Sequence, residues 1–493
     1  MAKKRIITIA AIMLAIAVAL VALNFLDGSP ADDESHVYEP PPEPAMQPYV
    51  LGANQSDAPI PLTIKVQGED GNFTIVSDKP EDLAPFNYIL MGFEDVSLRF
   101  DELTHVAAAA ERLVALDIIH EGAANEQAAN LADFGLAHSR ATAAIEYADG
   151  TFAELLIGND APGGSGVYAM RAGEPDIYLI SAAQAGIFLR RAEDFVDATI
   201  TEFPDDMPEM ERILLDGSVR PEPVIMEAVP LKGENDPVIL TSHLIVHPIK
   251  GRLHGKLGFE PILASYGLTA DRVEARFDSP DELAEWGLLE PYSILEITGQ
   301  AHDNHMLFTS APDENGLVYI VRDGRPLVYS IQSDRLPWLE LSYFDIMDKL
   351  LALPMIDSVS LLEIHTPDAT THITLEGVDS EMEVFIDGVP YETKDGVDPL
   401  ANFRNLYLNL ISTRYDSIPD APMPPDAPIL LQFVYNYRDA RPPDTVTIYE
   451  GAARRVYVGL NDETPMLGLS TFTDHLLQSI SAFLAGEAVE NYY

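Results

Sequence analysis

The chain opens on an unbroken apolar run and continues in segments where apolar and polar residues alternate. Residues 6–26 carry no charge and only two polar side chains, Thr8 and Asn24. As a helix this run is about 31 Å long, which matches a hydrocarbon core of roughly 30 Å. Basic residues 3–5 precede it and acidic residues follow it. We therefore expect residues 1–27 to be a cytoplasmic tip and a single-pass transmembrane anchor, with the bulk of the chain extracytoplasmic.

Two other interpretations of the N-terminal run stay open. A cleaved signal peptide has a shorter apolar stretch of roughly 7–15 residues, and Ser29-Pro30-Ala31 offers small residues at a cleavage site. A buried core helix is the second alternative. Residues 28–60 are rich in proline and predict an extended linker between the anchor and the folded part.

Two segments about 152 residues apart share one pattern. Each begins with a short amphipathic helix, which ends in Phe-Gly-Leu at 134–136 and in Trp-Gly-Leu at 286–288. Gly135 and Gly287 each follow the last helical residue, a position that favours the left-handed conformation. The pattern indicates an internal duplication.

Period-two alternation predicts two hairpins after this helix in the first copy. The first hairpin spans 143–157 and turns at Asp149-Gly150, and the second spans 167–180. A helix is predicted from Ser181 onward. The second copy has Ala301-His302 in place of the Asp-Gly turn, so the pattern does not imply that both copies use a common ligand.

The C-terminal third predicts two shorter units, each made of strands followed by a helix. The helices are expected near 398–413 and 471–485, and residues 371–377 align with residues 445–451. A proline-rich bridge at 419–428 separates the two units, and we interpret it as a loop.

Together these patterns predict an α+β protein. An N-terminal transmembrane helix precedes repeated units of antiparallel β-meander and helix, because hairpin-length connections cannot join parallel strands. We expect one repeat domain at 61–200, a second at 211–353, and a C-terminal domain of two shorter units at 356–493.

Charge and composition exclude several classes of function. The 493 residues include 79 Asp and Glu against 30 Lys and Arg, a net charge of −49. Such a surface repels the phosphate backbone, so we expect no nucleic-acid partner. The chain has no cysteine, which excludes disulfides, thiolate catalysis and thiolate-bound metals. Adaptation to a salty habitat is another explanation of the acidity.

The chain contains no nucleophile elbow, phosphate loop, zinc-protease helix or dinucleotide fingerprint. We therefore predict no catalytic, cofactor-binding or metal-binding residues and no cofactor. Gly163-Gly164-Ser165-Gly166 resembles a phosphate loop in composition only. Because it lies between predicted strands and not before a helix, we interpret it as a hairpin loop.

The histidines are the main candidates for metal binding. His243 and His247 lie four residues apart in a predicted strand, which separates them by roughly 13 Å, too far to share one ion. His254 lies beyond them, and His302 and His305 fall in a predicted turn. We interpret all five as structural or solvated histidines.

Two charged segments stand out. The acidic run at 202–211 lacks the spacing of a calcium loop, so a solvated linker is the preferred interpretation and weak calcium binding the alternative. Lys250, Arg252, His254 and Lys256 form a positive island in an acidic chain. We expect them to pair with carboxylates of the same protein; an anionic partner or lipid headgroup is the alternative.

A set of short motifs in the first copy resembles bacterial proteins of domain-of-unknown-function family 4340. The motifs are Phe-Gly-Leu at 134–136, Glu-Tyr-Ala-Asp-Gly-Thr at 146–151, Leu-Ile-Gly at 156–158, Gly-Ser-Gly-Val-Tyr at 164–168 and Ile-Tyr-Leu at 177–179. The resemblance covers about residues 60–200 and, more weakly, 210–350. It implies a single-pass, outward-facing membrane protein, often encoded beside gliding-type ABC transporter components. The family defines no catalytic residue.

From the anchor, the repeats and the resemblance we expect a membrane-anchored extracytoplasmic scaffold or accessory protein, without enzymatic activity, associated with an ABC-type transport system. Its expected partners are the membrane, through one N-terminal helix, and subunits of the transporter. Two alternatives stay open. One is a protein that binds cell-envelope glycan or, with calcium, a wall polymer. The other is a hydrolase that uses two carboxylates about 5–10 Å apart.

Overall fold

The structure is a computed structural model that describes residues 48–52, 59–77, 88–122, 130–229, 241–299, 304–394, 396–461 and 463–492. These residues form antiparallel β-sheets with a few helices, as the α+β prediction requires. The predicted membrane helix at 6–26 lies outside the described residues. Within the ranges given, no helix combines the length and the apolar composition needed to cross a membrane.

The first third of the chain contributes ten strands and two α-helices. They are β1 (Tyr49–Leu51), β2 (Pro61–Gly68), β3 (Asn72–Ser77), β4 (Tyr88–Leu90), α1 (Phe100–Glu111), β5 (Leu113–Val114), β6 (Asp117–His120), β7 (Ala141–Tyr147), β8 (Phe152–Asp160), β9 (Val167–Arg171), β10 (Ile177–Ile180) and α2 (Ala182–Ile187).

The middle third contributes β11 to β19 and two short α-helices. They are β11 (Met210–Asp216), β12 (Val224–Ala228), β13 (His243–His247), β14 (Gly251–Arg252), α3 (Glu260–Leu263), β15 (Arg272–Arg276), β16 (Ser293–Gly299), β17 (His305–Thr309), β18 (Leu317–Arg322), β19 (Leu327–Gln332) and α4 (Tyr343–Ile346).

The last third contributes β20 to β27 and two longer α-helices. They are β20 (Val359–His365), β21 (Thr370–Glu376), β22 (Glu383–Ile386), β23 (Val389–Pro390), α5 (Pro399–Ile411), β24 (Ile429–Tyr437), β25 (Asp444–Glu450), β26 (Arg455–Leu460), β27 (Met466–Leu469) and α6 (Ser470–Leu484).

Short 3₁₀-helices and one π-helical turn join these elements. The 3₁₀-helices are Leu131–Phe134, Pro162–Gly164, Ala192–Phe195, Pro280–Trp286, Ser333–Arg335, Ile356–Ser358 and Asp379–Glu381, and the π-helical turn is Gly255–Phe259.

Three large sheets follow one topology. Their strand orders are β4-β3-β2-β7-β8-β9-β10-β6, then β14-β13-β12-β11-β16-β17-β18-β19-β15, then β23-β22-β21-β20-β24-β25-β26-β27. In each sheet the first strand lies near the middle. The chain meanders outward from it, returns through a helix-containing crossover to its other side, and meanders to the opposite edge. In the first two sheets the crossover also supplies the last edge strand, β6 or β15.

Each sheet consists of two similar halves that meet at a central antiparallel pair. These pairs are β2 with β7, β11 with β16, and β20 with β24. Each half is a meander followed by helix, and α1 contacts α2 as α5 contacts α6. The strands of both shorter units predicted in the C-terminal third thus belong to one sheet. The domain boundaries stay predictions.

Local sequence signals explain where two of the helices begin. The Ser181 hydroxyl accepts the N–H of Gln184 at 3.2 Å, and this capping starts α2 where the sequence predicts a helix. The Asp398 carboxylate accepts the N–H of Ala401 at 2.7 Å ahead of α5, and Pro399 occupies the first helical position.

One face of every sheet contributes to a single buried core. Ile145, Leu295 and Phe433, which lie on central strands of the three sheets, are all fully buried in this core. Because side chains alternate along a strand, the intervening residues point to the other face. That other face differs between the sheets, and it carries the candidate site.

Candidate functional site

Two small apolar clusters lie outside the main core, one in each of the first two sheets. The first, which we call cluster 1, comprises Leu131, Phe134, Leu136, Leu156, Tyr168, Met170 and Ile177. The second, cluster 2, comprises Phe277, Leu283, Trp286, Leu288, Phe308, Tyr319, Val321 and Val328. Successive residues of β18 point to opposite faces of the sheet. Val318 and Ile320 lie in the main core, whereas Tyr319 and Val321 lie in cluster 2.

The duplicated motif builds both clusters in the same way. Gly135 and Gly287 end their 3₁₀-helices with φ values of 70° and 68°, the left-handed conformation predicted from the sequence. Leu136 then donates its N–H to the Leu131 carbonyl at 2.9 Å, and the corresponding bond in the second copy is 3.0 Å. The predicted helix and its glycine end are confirmed, although the helix is of the 3₁₀ type.

An edge-to-face aromatic pair anchors each motif to its sheet. The ring centroids of Phe134 and Tyr168 are 5.0 Å apart with an interplanar angle of 88°. Those of Trp286 and Tyr319 are 4.8 Å apart with an angle of 70°. Aromatic pairs favour this geometry, so the equivalent contacts hold the two motifs in equivalent places.

Beside cluster 2 lies an open apolar cleft of about 550 Å³. Its walls come from the segment that follows the 3₁₀-helix, from β16 and β17, and from the β18–β19 turn. Leu289, Ile294 and Phe308 line it, and Leu289 is 58% exposed. A volume of this size falls in the usual range for binding sites, although exposure on one side suits a chain segment better than a fully enclosed small molecule.

The residues that line the cleft are larger and more apolar than their counterparts in the first copy. Strand register makes Thr142, paired with Leu156, equivalent to Ile294, paired with Phe308. At the next position around the motif, Leu289 stands where the first copy has Ala137. The shared frame of each copy is its motif, the glycine that ends it and the aromatic pair. The second copy presents more apolar surface than this frame needs.

Charge around the cleft is unbalanced. The guanidinium groups of Arg322 and Arg325 point away to donate to the carbonyls of Ile200 at 3.0 Å and Thr199 at 2.6 Å. Burial lowers the pKa of Arg322. Exposed carboxylates surround the cleft in the sequence, namely Asp278, Asp281, Glu282, Glu285, Glu290 and Asp323. Asp323 lies on the cleft lining, and the other five carboxylates are one or two residues from lining residues in the sequence.

The glycine-rich segment lies where the hairpin prediction places it. The 3₁₀-helix Pro162–Gly164 connects β8 to β9, and Gly163, Gly164 and Gly166 all have positive φ values. It precedes a strand and not a helix, so it lacks the backbone N–H groups of a helix start that cradle phosphate.

The buried histidines have protein partners. His243 begins β13, as predicted, and its Nε2 lies 2.8 Å from the Met210 carbonyl oxygen. Burial lowers the pKa of His243. His305 begins β17, so the predicted turn is wrong at this position, and its Nε2 lies 3.0 Å from the Ser265 hydroxyl.

The other histidines lie apart from these two. His247 is 3.9 Å from a carboxylate oxygen of Glu222, His254 accepts the N–H of Leu257 at 3.1 Å, and His302 lies outside the described residues. Across the described ranges, no group of three or more His, Asp or Glu residues is arranged to hold a metal ion.

The positive island pairs internally through Arg252. Its guanidinium donates to the Asp348 carboxylate at 3.0 Å and to the carbonyls of Leu350 and Leu351 at 2.6 and 3.2 Å. The preferred prediction is thus confirmed for Arg252. In the acidic run, Glu202, Asp205 and Asp206 are exposed and precede β11.

Sequence reasoning missed Arg220, a buried guanidinium in the β11–β12 loop. It donates to the carbonyls of Asp216, Trp338, Leu339 and Leu341 at 2.8–3.0 Å and to the Ser293 hydroxyl at 2.7 Å. Burial lowers its pKa, and the acceptors around it stabilise the charged form. The acceptors lie up to 121 residues away, so no local pattern reveals this role.

Comparison with known proteins gives one match. The model of a family described as "Domain of unknown function (DUF4340)" matches residues 95–207 and 265–427. These segments include the duplicated motif of both copies and the first half of the third sheet. No curated protein and no solved structure matches the chain. Since the two matched segments cover more than half of the chain, the protein belongs to the DUF4340 family.

Proposed function

We propose that the protein is a membrane-anchored, extracytoplasmic, non-enzymatic scaffold or accessory protein that works with an ABC-type transport system. The apolar cleft of the second copy is the observation that supports this proposal most directly. It is a concave, mostly apolar surface that is open to solvent on one side, which is the usual character of a binding site. The long apolar run at 6–26 supports the anchor.

The chemistry of the cleft defines the partner segment. Its floor is apolar, with Ile294, Phe308 and Val321, and its nearby exposed charges are mainly carboxylates. A partner segment with apolar side chains and flanking Lys or Arg residues matches both features. The proposed occupant is such a segment on an extracytoplasmic face of a transporter subunit.

The test is affinity purification of the tagged full-length chain from solubilised membranes, with identification of the recovered proteins by mass spectrometry. We expect ABC transporter subunits in the wild-type sample. Leu289→Glu places a charge in the cleft and should reduce their recovery about tenfold or more. The matched control is Phe152→Glu, because Phe152 is 61% exposed in the first copy, away from both clusters.

Three outcomes contradict parts of this proposal. Equal recovery with Leu289→Glu and Phe152→Glu would remove the cleft as the docking site. Absence of transporter subunits from the wild-type sample would remove the transport association. Protection of a C-terminal tag from protease in intact cells, with digestion after lysis, would reverse the proposed topology.

A further inference from the structure

A second cavity lies where the second sheet meets the third. Its volume is about 330 Å³, and residues of the β13–β14 edge face residues that follow α5 and β26 across it. Leu350, Leu351 and Leu460 form part of an apolar wall. The cavity is separate from the cleft of cluster 2, with which it shares no lining residue.

The ion pair between Arg252 and Asp348 on the cavity lining has all its hydrogen-bond partners within the protein. Asp348 accepts from the Arg252 guanidinium at 3.0 Å and from the N–H of Leu350 at 3.1 Å, and Arg252 also donates to two backbone carbonyls. Arg252 and Asp348 therefore neutralise each other and fix one wall. They do not need a ligand.

Three polar side chains on the cavity lining, those of Lys250, Tyr415 and Glu463, lack protein partners of this kind. Lys250 and Glu463 both line the cavity, yet no ion pair within 4.0 Å joins them to each other or to another residue in the described ranges. Burial raises the pKa of Glu463, while Lys250 and Arg252 oppose that rise. The Tyr415 hydroxyl also has no hydrogen-bond partner among the described residues, and burial raises the pKa of Tyr415.

Opposite charges that share a half-enclosed cavity without contact leave a gap between them. Glu463 is half-buried, and a half-buried charge without a partner is costly, so an ammonium group beside it would be bound. Lys250 is exposed and supplies an accessible positive charge on the same cavity lining. Cavities of about 300 Å³ or more accommodate small ligands, with a few convergent polar groups that fix their orientation.

We propose that this cavity binds a small zwitterion of the amino-acid type. Its ammonium group contacts Glu463, its carboxylate contacts Lys250 and the Tyr415 hydroxyl, and its apolar body packs against the leucine wall. This site does not depend on the docking function of the cleft, so each can fail without the other.

Isothermal titration of the detergent-solubilised full chain tests the proposal with three probes. L-Leucine carries both charges, N-acetyl-L-leucine lacks the ammonium group, and L-leucinamide lacks the carboxylate. Saturable binding of leucine is expected, with each single-charge analogue weaker by about tenfold or more, since every tenfold corresponds to about 1.4 kcal/mol.

Two variants assign the contacts. Glu463→Gln should weaken leucine about tenfold but leave the affinity for N-acetyl-leucine unchanged, and Lys250→Met should weaken leucine but leave leucinamide unchanged. Glu450→Gln, at an exposed carboxylate remote from the cavity lining, is the matched control. Thermal unfolding of each variant verifies that it is folded.

The absence of saturable leucine binding to the wild-type chain would overturn the proposal. So would equal affinity for leucine and both analogues, because the bound molecule would then be recognised by its apolar body alone. A loss of leucine binding in Glu450→Gln equal to that in Glu463→Gln would also overturn it.

Discussion

In the first sheet Phe134 packs edge-to-face on Tyr168, and in the second Trp286 packs in the same way on Tyr319. Both motifs end at a left-handed glycine, and both sheets share one topology, to which the second adds β14 as an edge strand. The copies differ in what surrounds that frame. The first closes its β2–β3 turn within a few residues, whereas the second has a longer loop that carries Arg220.

The comparison shows that the residues that hold the motif in place and the residues around it meet different structural requirements. The motif needs only a glycine, one aromatic pair and a few apolar neighbours, so both copies meet this need. Leu289 and Ile294 lie outside cluster 2, and together with Phe308 they line an open cleft. Three comparisons between variants test how far the two copies differ.

The largest expected effect comes from Arg220→Met. This change leaves buried carbonyls of Asp216, Trp338 and Leu341 without their donor, which should lower the free energy of unfolding by about 3–5 kcal/mol. Urea unfolding followed by tryptophan fluorescence is a suitable measurement, because both tryptophans lie in the second copy.

Arg140→Met in the first copy is the matched control for Arg220→Met. Arg140 donates to the carboxylates of Glu69 and Asp160 near the surface, so its loss should cost about 1 kcal/mol or less. Equal losses in the two variants would show that the Arg220 cluster contributes no more than a surface ion pair.

The two glycines of the motif give the next largest difference. A Cβ at Gly135 would lie 2.4 Å from Asn159 Cγ and 2.8 Å from its backbone nitrogen, whereas a Cβ at Gly287 would meet only the Ser310 Cβ at 3.7 Å. Gly287→Ala should therefore cost about 1–2 kcal/mol for the left-handed conformation alone. Gly135→Ala should cost about 2–4 kcal/mol, because a clash is added.

Circular dichroism during thermal and urea unfolding measures both glycine variants on the same scale. The order of the two losses is the decisive result. A loss for Gly287→Ala that equals or exceeds the loss for Gly135→Ala would mean that the close approach of Asn159 does not matter.

The smallest expected effect is a difference in alkaline stability. Tyr147 donates its hydroxyl to the Ala110 carbonyl at 2.9 Å, and burial raises its pKa to about 12, while the equivalent residue of the second copy is Gly299. The folded state favours neutral tyrosine. The contribution of Tyr147 is therefore complete below pH of about 10 and is lost as the pH rises toward about 12.

Tyr147→Phe should remove this part of the alkaline loss. Between pH of about 10 and 12 the wild type should lose on the order of 1–2 kcal/mol more than the variant, measured by urea unfolding at each pH. At neutral pH the variant should lack about 1 kcal/mol from the missing hydrogen bond. Parallel pH profiles for the two proteins would contradict the assigned role of burial.

Local parts of the fold were predictable from the sequence, because their causes are local. Alternation predicts β7 to β10, and the residue after Phe134 or Trp286 must be able to adopt a positive φ, which identifies the end of each 3₁₀-helix. The hairpin at Asp149-Gly150 likewise depends on adjacent residues alone.

Distant pairing was not predictable in the same way. The sequence does not indicate that β6 crosses to the far edge beside β10, nor that β15 does so beside β19. The first half of each of the first two sheets, from β2 and from β11, was not recognised as a counterpart of the second half. Strand alternation defines two faces, but only the assembled sheet defines which face meets the common core.

The cleft illustrates the same limit. Sequence alignment of the copies already shows Ile294 at the position of Thr142 and Phe308 at the position of Leu156. This gain in apolar size could have indicated the cleft. It becomes a site only when both side chains are known to lie on the face away from the core. The membrane anchor, the transport partner and the lack of enzymatic activity remain proposals, since they depend on residues and molecules outside the described fold.

The central strand pair of each sheet constrains how the protein can be shortened. A fragment that ended between β23 and β24 would lack β24, which is one of the two strands that pair with β20. The backbone donors and acceptors on that edge of β20 would then be exposed. Such an edge pairs readily with an identical strand, so half-sheet fragments should exchange halves between molecules or precipitate. Division of the chain between sheets, near residues 202–209 or 352–358, leaves all three central strand pairs intact.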